Sequence, residues 1–404
     1  MLLALLTLGC DARGARSLGD AGPCGRGKAR SCTCEDGSKG IAQCFDEDWG
    51  ECVCNPSSFE VEPDAAAPEV DARAPRPSSD DPALKDCEST FDFRAHAADD
   101  FGEPFHVPAR TLLPGSQRQR VCFYFRLPYV VDSVALGFSG LLYETVGVRS
   151  WSLYGLDKST HDDGEVAPCN GPEPGAYMLA AFAPGVGDVR LPDDVGLQLP
   201  RGLRAGMVLE VQYDSGSSEV LDRTGVRICA ARTRSRAHTA SVHFTGTQAI
   251  CIPPGARNHE VSGSCEPRTD LGPIHVLDVW PSMHRHGRRM QIDVVRASGQ
   301  RELLHDAAFA FDDQQRFPPR DVTLQPGDRL ETRCWFDNDM LLPIPFGDTA
   351  EEETCFGIIT AWPAGALASD PLGAIGSALG IEPDRSCLNP ADILRSCNGA
   401  ADGL

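Results

Sequence analysis

The sequence predicts an all-β body divided into more than one domain, and three observations carry that expectation. The chain has 404 residues, longer than a single hydrophobic core usually serves. Its 40 glycines and 31 prolines favour turns and short strands over long helices. No long stretch before residue 364 repeats its apolar residues with a helical period.

Residues 1–10 read as a signal-like segment. An apolar run from Met1 to Leu8 leads into Thr7-Leu8-Gly9-Cys10, which is similar to the cleavage box of bacterial lipoproteins, where the cysteine becomes the lipidated first residue. The run is short and no Lys or Arg precedes it, a departure from an ordinary signal peptide. Lipidation at Cys10 also accounts for an odd count, since 17 cysteines less one leaves an even number for pairing. So many cysteines point to an oxidising compartment. The expected location is therefore the bacterial cell envelope, in the periplasm or as a membrane-anchored lipoprotein.

Residues 11–54 form a cysteine-rich module. Cys24, Cys32 and Cys34 have the spacing C-x7-C-x-C, and Cys44, Cys52 and Cys54 repeat it. A segment this short needs staples, so a disulfide knot is expected rather than a metal thiolate site. The spacing does not choose among the possible pairings. Residues 55–85 turn to Pro, Ala, Asp and Ser, with Pro56, Pro63, Pro68, Pro75, Pro77 and Pro82 spread through them. This reads as a disordered or polyproline-like spacer.

The globular body follows. Met207, Leu209, Val211 and Tyr213 alternate with Val208, Glu210, Gln212 and Asp214, the period of a strand. Pro326-Gly327-Asp328 makes a turn that feeds a second strand pattern, Arg329 to Phe336. The tail, residues 364–404, is rich in Ala and Gly. A formal net charge of -21 repels phosphate backbones, so no nucleic-acid partner is expected. A membrane partner is expected only through an N-terminal lipid anchor, because no segment has the ~20 apolar residues needed to span a bilayer.

The chemistry-bearing motifs lie late in the body. Residues 274–290 read IHVLDVWPSMHRHGRRM, with His284 and His286 two apart. Residues 327–338 read GDRLETRCWFDN, and residues 346–356 read FGDTAEEETCF. In this order they resemble the His-x-His, Pro-Gly-Asp and Met-Cys-Phe segments of the copper type II, ascorbate-dependent monooxygenases. A weaker likeness in the first half rests on Val148-Arg149-Ser150-Trp151 and Leu209-Glu210-Val211-Gln212-Tyr213, and the whole covers residues 87–363. The resemblance implies two β-sandwich, jelly-roll-like lobes, at 86–240 and 241–363, with Arg236 to Pro254 as the crossing. It also implies three disulfides: Cys334 with Cys355, Cys122 with Cys169, and Cys87 with Cys229.

In that family one copper is held by three imidazoles and a second by two imidazoles and a Met thioether, with ascorbate supplying electrons. Imidazole suits both copper oxidation states, and a thioether favours Cu(I). Here Arg149, Ser150 and Gln212 stand at the first site, and Ser282 and Thr354 at the second, where His284 alone keeps its ligand identity. A shifted pair, His284 with His286, offers a low-nuclearity metal site if residues 282–286 continue as a strand. The competing reading is a basic strand end among Arg285, Arg288 and Arg289. No catalytic residue is assigned, and Glu351, Glu352 and Glu353 read as a solvated charge run. The expected function is a cell-envelope binding or structural protein on a degenerate monooxygenase scaffold, with copper binding reduced or absent and an unknown ligand or envelope partner. The alternatives are an active copper monooxygenase and a single-site copper binder.

Overall fold

The computed structural model describes residues 84–367, apart from 109–118, 128–131, 143–146, 170, 172, 214–218, 268–269, 319–321, 348 and 350. It adds the backbone of four short strands outside that range. The chain divides into two compact units, residues 1–72 and 73–404. Cys10, the spacer at 55–83 and the pairing of the N-terminal cysteines lie outside the described residues.

In the first unit, β1 (Ala29–Thr33), β2 (Lys39–Phe45) and β3 (Asp48–Trp49) form an antiparallel sheet in that order. Thr33 pairs with Lys39, so the hairpin closes over the segment that carries Asp36-Gly37.

In the second unit the strands are β4 (Ser89–Arg94), β5 (Phe105–Val107), β6 (Gln119–Arg126), β7 (Ser133–Leu141), β8 (Val148–Leu156), β9 (Val166–Pro168), β10 (Tyr177–Phe182), β11 (Val189–Arg190), β12 (Val195–Gln198), β13 (Gly206–Tyr213), β14 (Val220–Asp222), β15 (Gly225–Arg232) and β16 (His238–Thr247). They continue with β17 (Cys251–Ile252), β18 (His259–Cys265), β19 (Ile274–Ser282), β20 (Gly287–Val295), β21 (Arg301–Ala308), β22 (Thr323–Leu324), β23 (Arg329–Phe336), β24 (Ile344–Pro345), β25 (Cys355–Trp362) and β26 (Ser386–Cys387). No α-helix occurs among the described residues; one 3-10 turn spans Thr233–Ser235. The all-β expectation holds.

Three sheets build the body. An antiparallel sheet of order β10-β8-β13-β6-β9 faces one half of a ten-stranded sheet, and the sheet β18-β23-β20-β21 faces the other half. The long sheet runs β22-β19-β25-β16-β12-β7-β15-β4 and is continuous between the lobes through the parallel pairing of β12 with β16. Where β12 enters, Gly196 is required: a Cβ there would meet Val134 Cγ2 at 2.4 Å. β16 crosses residue 240, the expected lobe boundary, so Ala240 and Val242 serve the first core while Thr245 bonds Thr332 of the second lobe.

Binary patterning explains both cores. Along β13, Met207, Leu209, Val211 and Tyr213 are all buried, packed with Phe123, Leu153, Phe138 and Ile228. Along β20, Met290, Ile292 and Val294 pack with Leu330, Phe336 and Ile359. β18 alternates strictly between exposed and buried residues, which marks a sheet wet on one face.

The three expected disulfides are present: Cys87–Cys229, Cys122–Cys169 and Cys334–Cys355. They close loops of 142, 47 and 21 residues. Each removes freedom from the unfolded chain on the order of 3–5 kcal/mol. Cys334–Cys355 ties β23 to β25 and so fastens the two sheets of the second lobe together. These bridges fit an exported protein. Among the described residues no helix is long and apolar enough to cross a membrane.

Candidate functional site

Between the lobes lies a cavity of about 970 Å³, and all of Arg149, Ser150, Gln212, Ser282, His284 and Thr354 line it. Positions spread over more than 200 residues of sequence therefore converge on one cleft.

The first-lobe wall is made by three adjacent strands. Gln212 on β13 sits opposite Ser150 on β8 and Arg120 on β6. Strand alternation sends Trp151, Leu153, Leu209 and Val211 into the core and leaves Ser150, Ser152, Glu210 and Gln212 on the cleft. Alternation alone cannot put both Arg149 and Ser150 on the cleft. A bulge does so: Gln212 pairs with Ser150 but Tyr213 pairs with Val148, leaving Arg149 as the extra residue. Bulges re-aim side chains in this way beside functional sites.

The polar groups of this wall satisfy one another. The Gln212 amide donates to Ser150 Oγ at 3.2 Å and accepts from Arg120 Nε and Nη2 at 3.0 Å each. Arg120 also lies 3.8 Å from Glu210. Arg149 reaches across the cleft, donating through Nη1 to Asp312 Oδ1 at 3.0 Å and stacking over the Phe311 ring at 4.0 Å.

Phe311 belongs to the segment between β21 and β22, which straps the second lobe to the first. The Gln314 backbone N–H donates to Pro184 O at 2.8 Å, and Trp280 Nε1 donates to Gln314 Oε1 at 3.2 Å. The approach is so close that Gly185, at φ +93°, has no room for a side chain: a Cβ would meet Gln314 O at 2.5 Å. His284 approaches the same Phe311 ring at 6.2 Å, and Arg285 at 5.7 Å.

On the second-lobe wall, Ser282 pairs with Phe356, and the Thr354 hydroxyl donates to Ser282 O at 3.2 Å. β19 ends at Ser282, and residues 283–286 form a turn before β20. The expectation that 282, 284 and 286 share a strand face is corrected here, because the alternation it used stops with the strand. His284 lines the cavity; His286 does not, its Nδ1 lying 3.1 Å from Asp337 O. Met283, which strand alternation would have turned away, also lines the cavity.

Glu353 holds this turn. It is fully buried and accepts the backbone N–H groups of His284 at 2.8 Å and His286 at 2.6 Å. Burial pushes its carboxyl up to about 7, against the opposing pull of those N–H donors. The reading of Glu351 to Glu353 as a solvated run is corrected for this residue: only Glu351 is exposed, and Glu352 caps Thr349 N at 2.9 Å. Three contiguous glutamates hide such a role, since burial follows from the partner strand and not from composition. Arg120 and Phe311 were also missed, having no motif to mark them.

Copper held as in the family needs imidazole and thioether donors at these positions. At the six positions the cleft supplies a guanidinium, three hydroxyls, of which those of Ser150 and Thr354 bond within the protein, a carboxamide already held by Arg120, and the His284 imidazole, whose Nδ1 lies 2.8 Å from Glu352 O. These residues do not fit the two-copper set. Among the described residues, Cys122, Cys169 and Glu210 bring potential ligand atoms within 4.8 Å of one another, but both cysteines are spent in a disulfide.

Comparison with known proteins finds similarity over part of the chain. A profile described as copper type II ascorbate-dependent monooxygenase, C-terminal domain, matches residues 235–369. A tyramine beta-hydroxylase of Caenorhabditis briggsae is 25% identical over 203 residues, which are 47% of this chain and 34% of that protein. The chain thus spans about a third of that relative's length. A solved structure from Parabacteroides distasonis aligns over 69% of this chain and 91% of its own at 5% identity, with a TM-score of 0.16 that carries no argument about fold.

Proposed function

This chain is related to the copper type II, ascorbate-dependent monooxygenases, and from that premise we propose that it uses their scaffold as a cell-envelope binding protein without monooxygenase turnover. One observation carries the reading. Arg149, Ser150, Gln212, Ser282 and Thr354, the positions that the resemblance matches to the family's copper ligands, meet at one cleft beside the single imidazole of His284. A guanidinium repels a cation and is never neutral in a protein. The cleft keeps the volume and the mixed apolar and polar lining of a small-molecule site. In the same proposal, export and a lipid anchor at Cys10 place the body outside the cytoplasm, with residues 55–85 as the tether.

The test is the metal content of the full-length chain, folded under oxidising conditions, loaded with Cu(II) and ascorbate and dialysed. The expected result is no stoichiometric copper. Two coppers per chain would restore the monooxygenase reading. One copper, lost on changing both His284 and His286 to Ala, would replace the proposal with a single-site copper protein.

A further inference from the structure

The Arg149 side chain is 15% exposed, and its Nη2 is buried without a hydrogen-bond acceptor, although Nη1 bonds Asp312 and the guanidinium plane stacks on Phe311. A guanidinium stays charged, and an unmet N–H in a low-dielectric wall favours any acceptor that reaches it. The other charges of the lining are largely answered. Glu210 lies against Arg120, and Asp157 Oδ1 accepts from the Tyr177 hydroxyl and the Arg201 backbone N–H. Lys158 adds a second cation at the exposed rim. Trp280, Phe244, Phe356 and Ile358 add an apolar lining to the same cavity.

Resting on the proposal that the cleft binds rather than oxidises its ligand, we infer that Arg149 makes it a receptor for an oxyanion carried on an apolar body. The head is a carboxylate or a phosphate monoester, bonded by the Arg149 guanidinium. The body lies on the Trp280 and Phe356 side. Asp312, exposed at the end of the Arg149 fork, is then a competitor for the ligand and not part of its site.

Calorimetric titration of the full-length chain tests this with 3-cyclohexylpropanoate, its neutral amide, 3-cyclohexylpropyl phosphate and inorganic phosphate. At least one of the two amphipathic anions binds once per chain, and which one does identifies the head group. The amide binds about tenfold more weakly or less, the effect of losing one charge-assisted hydrogen bond. Arg149→Gln brings the anion down to the level of the amide, and Asp312→Asn tightens it. Equal binding of anion and amide, no binding of either anion, or inorganic phosphate binding as tightly as the ester would overturn the inference. The acid–amide and Asp312→Asn comparisons decide the matter even if Arg149→Gln does not fold. Copper counted in the same preparation separates the two ideas: metal-free protein indifferent to the anion sinks only this inference, whereas stoichiometric copper sinks the reading beneath it.

Discussion

The two walls of the cleft are built in different ways. In the first lobe a bulge aims two consecutive residues at the cleft, where Arg149 is held by Asp312 and Phe311 of the second lobe and Gln212 by Ser150 and Arg120. In the second lobe Ser282 and Thr354 sit on a frame made of the turn at 283–286, the buried Glu353 that accepts its N–H groups, and the Cys334–Cys355 bridge. That frame is built from sheet pairing and core packing, which a substitution on the cleft face does not disturb. The first wall rests on a side-chain contact that crosses the lobes, and the second on a buried backbone frame.

The sharpest way to break this comparison is to remove the frame. Changing Cys334 and Cys355 together to Ser is expected to cost about 3 kcal/mol of stability, read from the urea midpoint. An unchanged midpoint would mean that the second lobe does not depend on this brace.

Next is the carboxyl under the turn. With Glu353 at about 7, above its ordinary value, the folded state holds that proton more tightly than the unfolded chain. Its contribution is complete below about pH 4.5 and is lost as pH rises through about 7. His305 runs the other way: burial pushes it down to about 4, so its contribution is present above about pH 6.5 and lost as pH falls. The difference between wild type and Glu353→Gln isolates the carboxyl. The variant is expected to gain about 2–3 kcal/mol on wild type between pH 5 and pH 8, measured by denaturant unfolding. A constant difference across that range would show that Glu353 is charged throughout.

The smallest expected effect tests the first wall. A double-mutant cycle of Arg149→Gln with Phe311→Leu should give a coupling of about 0.5–1 kcal/mol, the scale of a partly buried cation–π contact. Strict additivity would remove Phe311 from the account of the first wall.

Much of this was legible in the residues. The alternation along β13, the turn at Pro326-Gly327-Asp328 and the spacing of the motifs around His284 and Cys355 depend on neighbours in the chain, and local pattern reports local geometry. The disulfides Cys87–Cys229, Cys122–Cys169 and Cys334–Cys355 were readable only through the family likeness, and the structure pairs them as that likeness implied. The strand assumed through His286 was not legible correctly, since the end of β19 is set by where β25 stops pairing with it, at Phe356.

By itself, then, the sequence determined an all-β body and a likeness to the copper type II, ascorbate-dependent monooxygenases. Tertiary structure alone decided that the six positions meet in one cleft, that a single-residue bulge turns Arg149 into it, that Phe311 lies between Arg149 and His284, and that Glu353 is buried. Each of these depends on residues far apart in the chain being brought together by sheets pairing across the lobes. No window of sequence contains the partner that determines the environment of such a side chain.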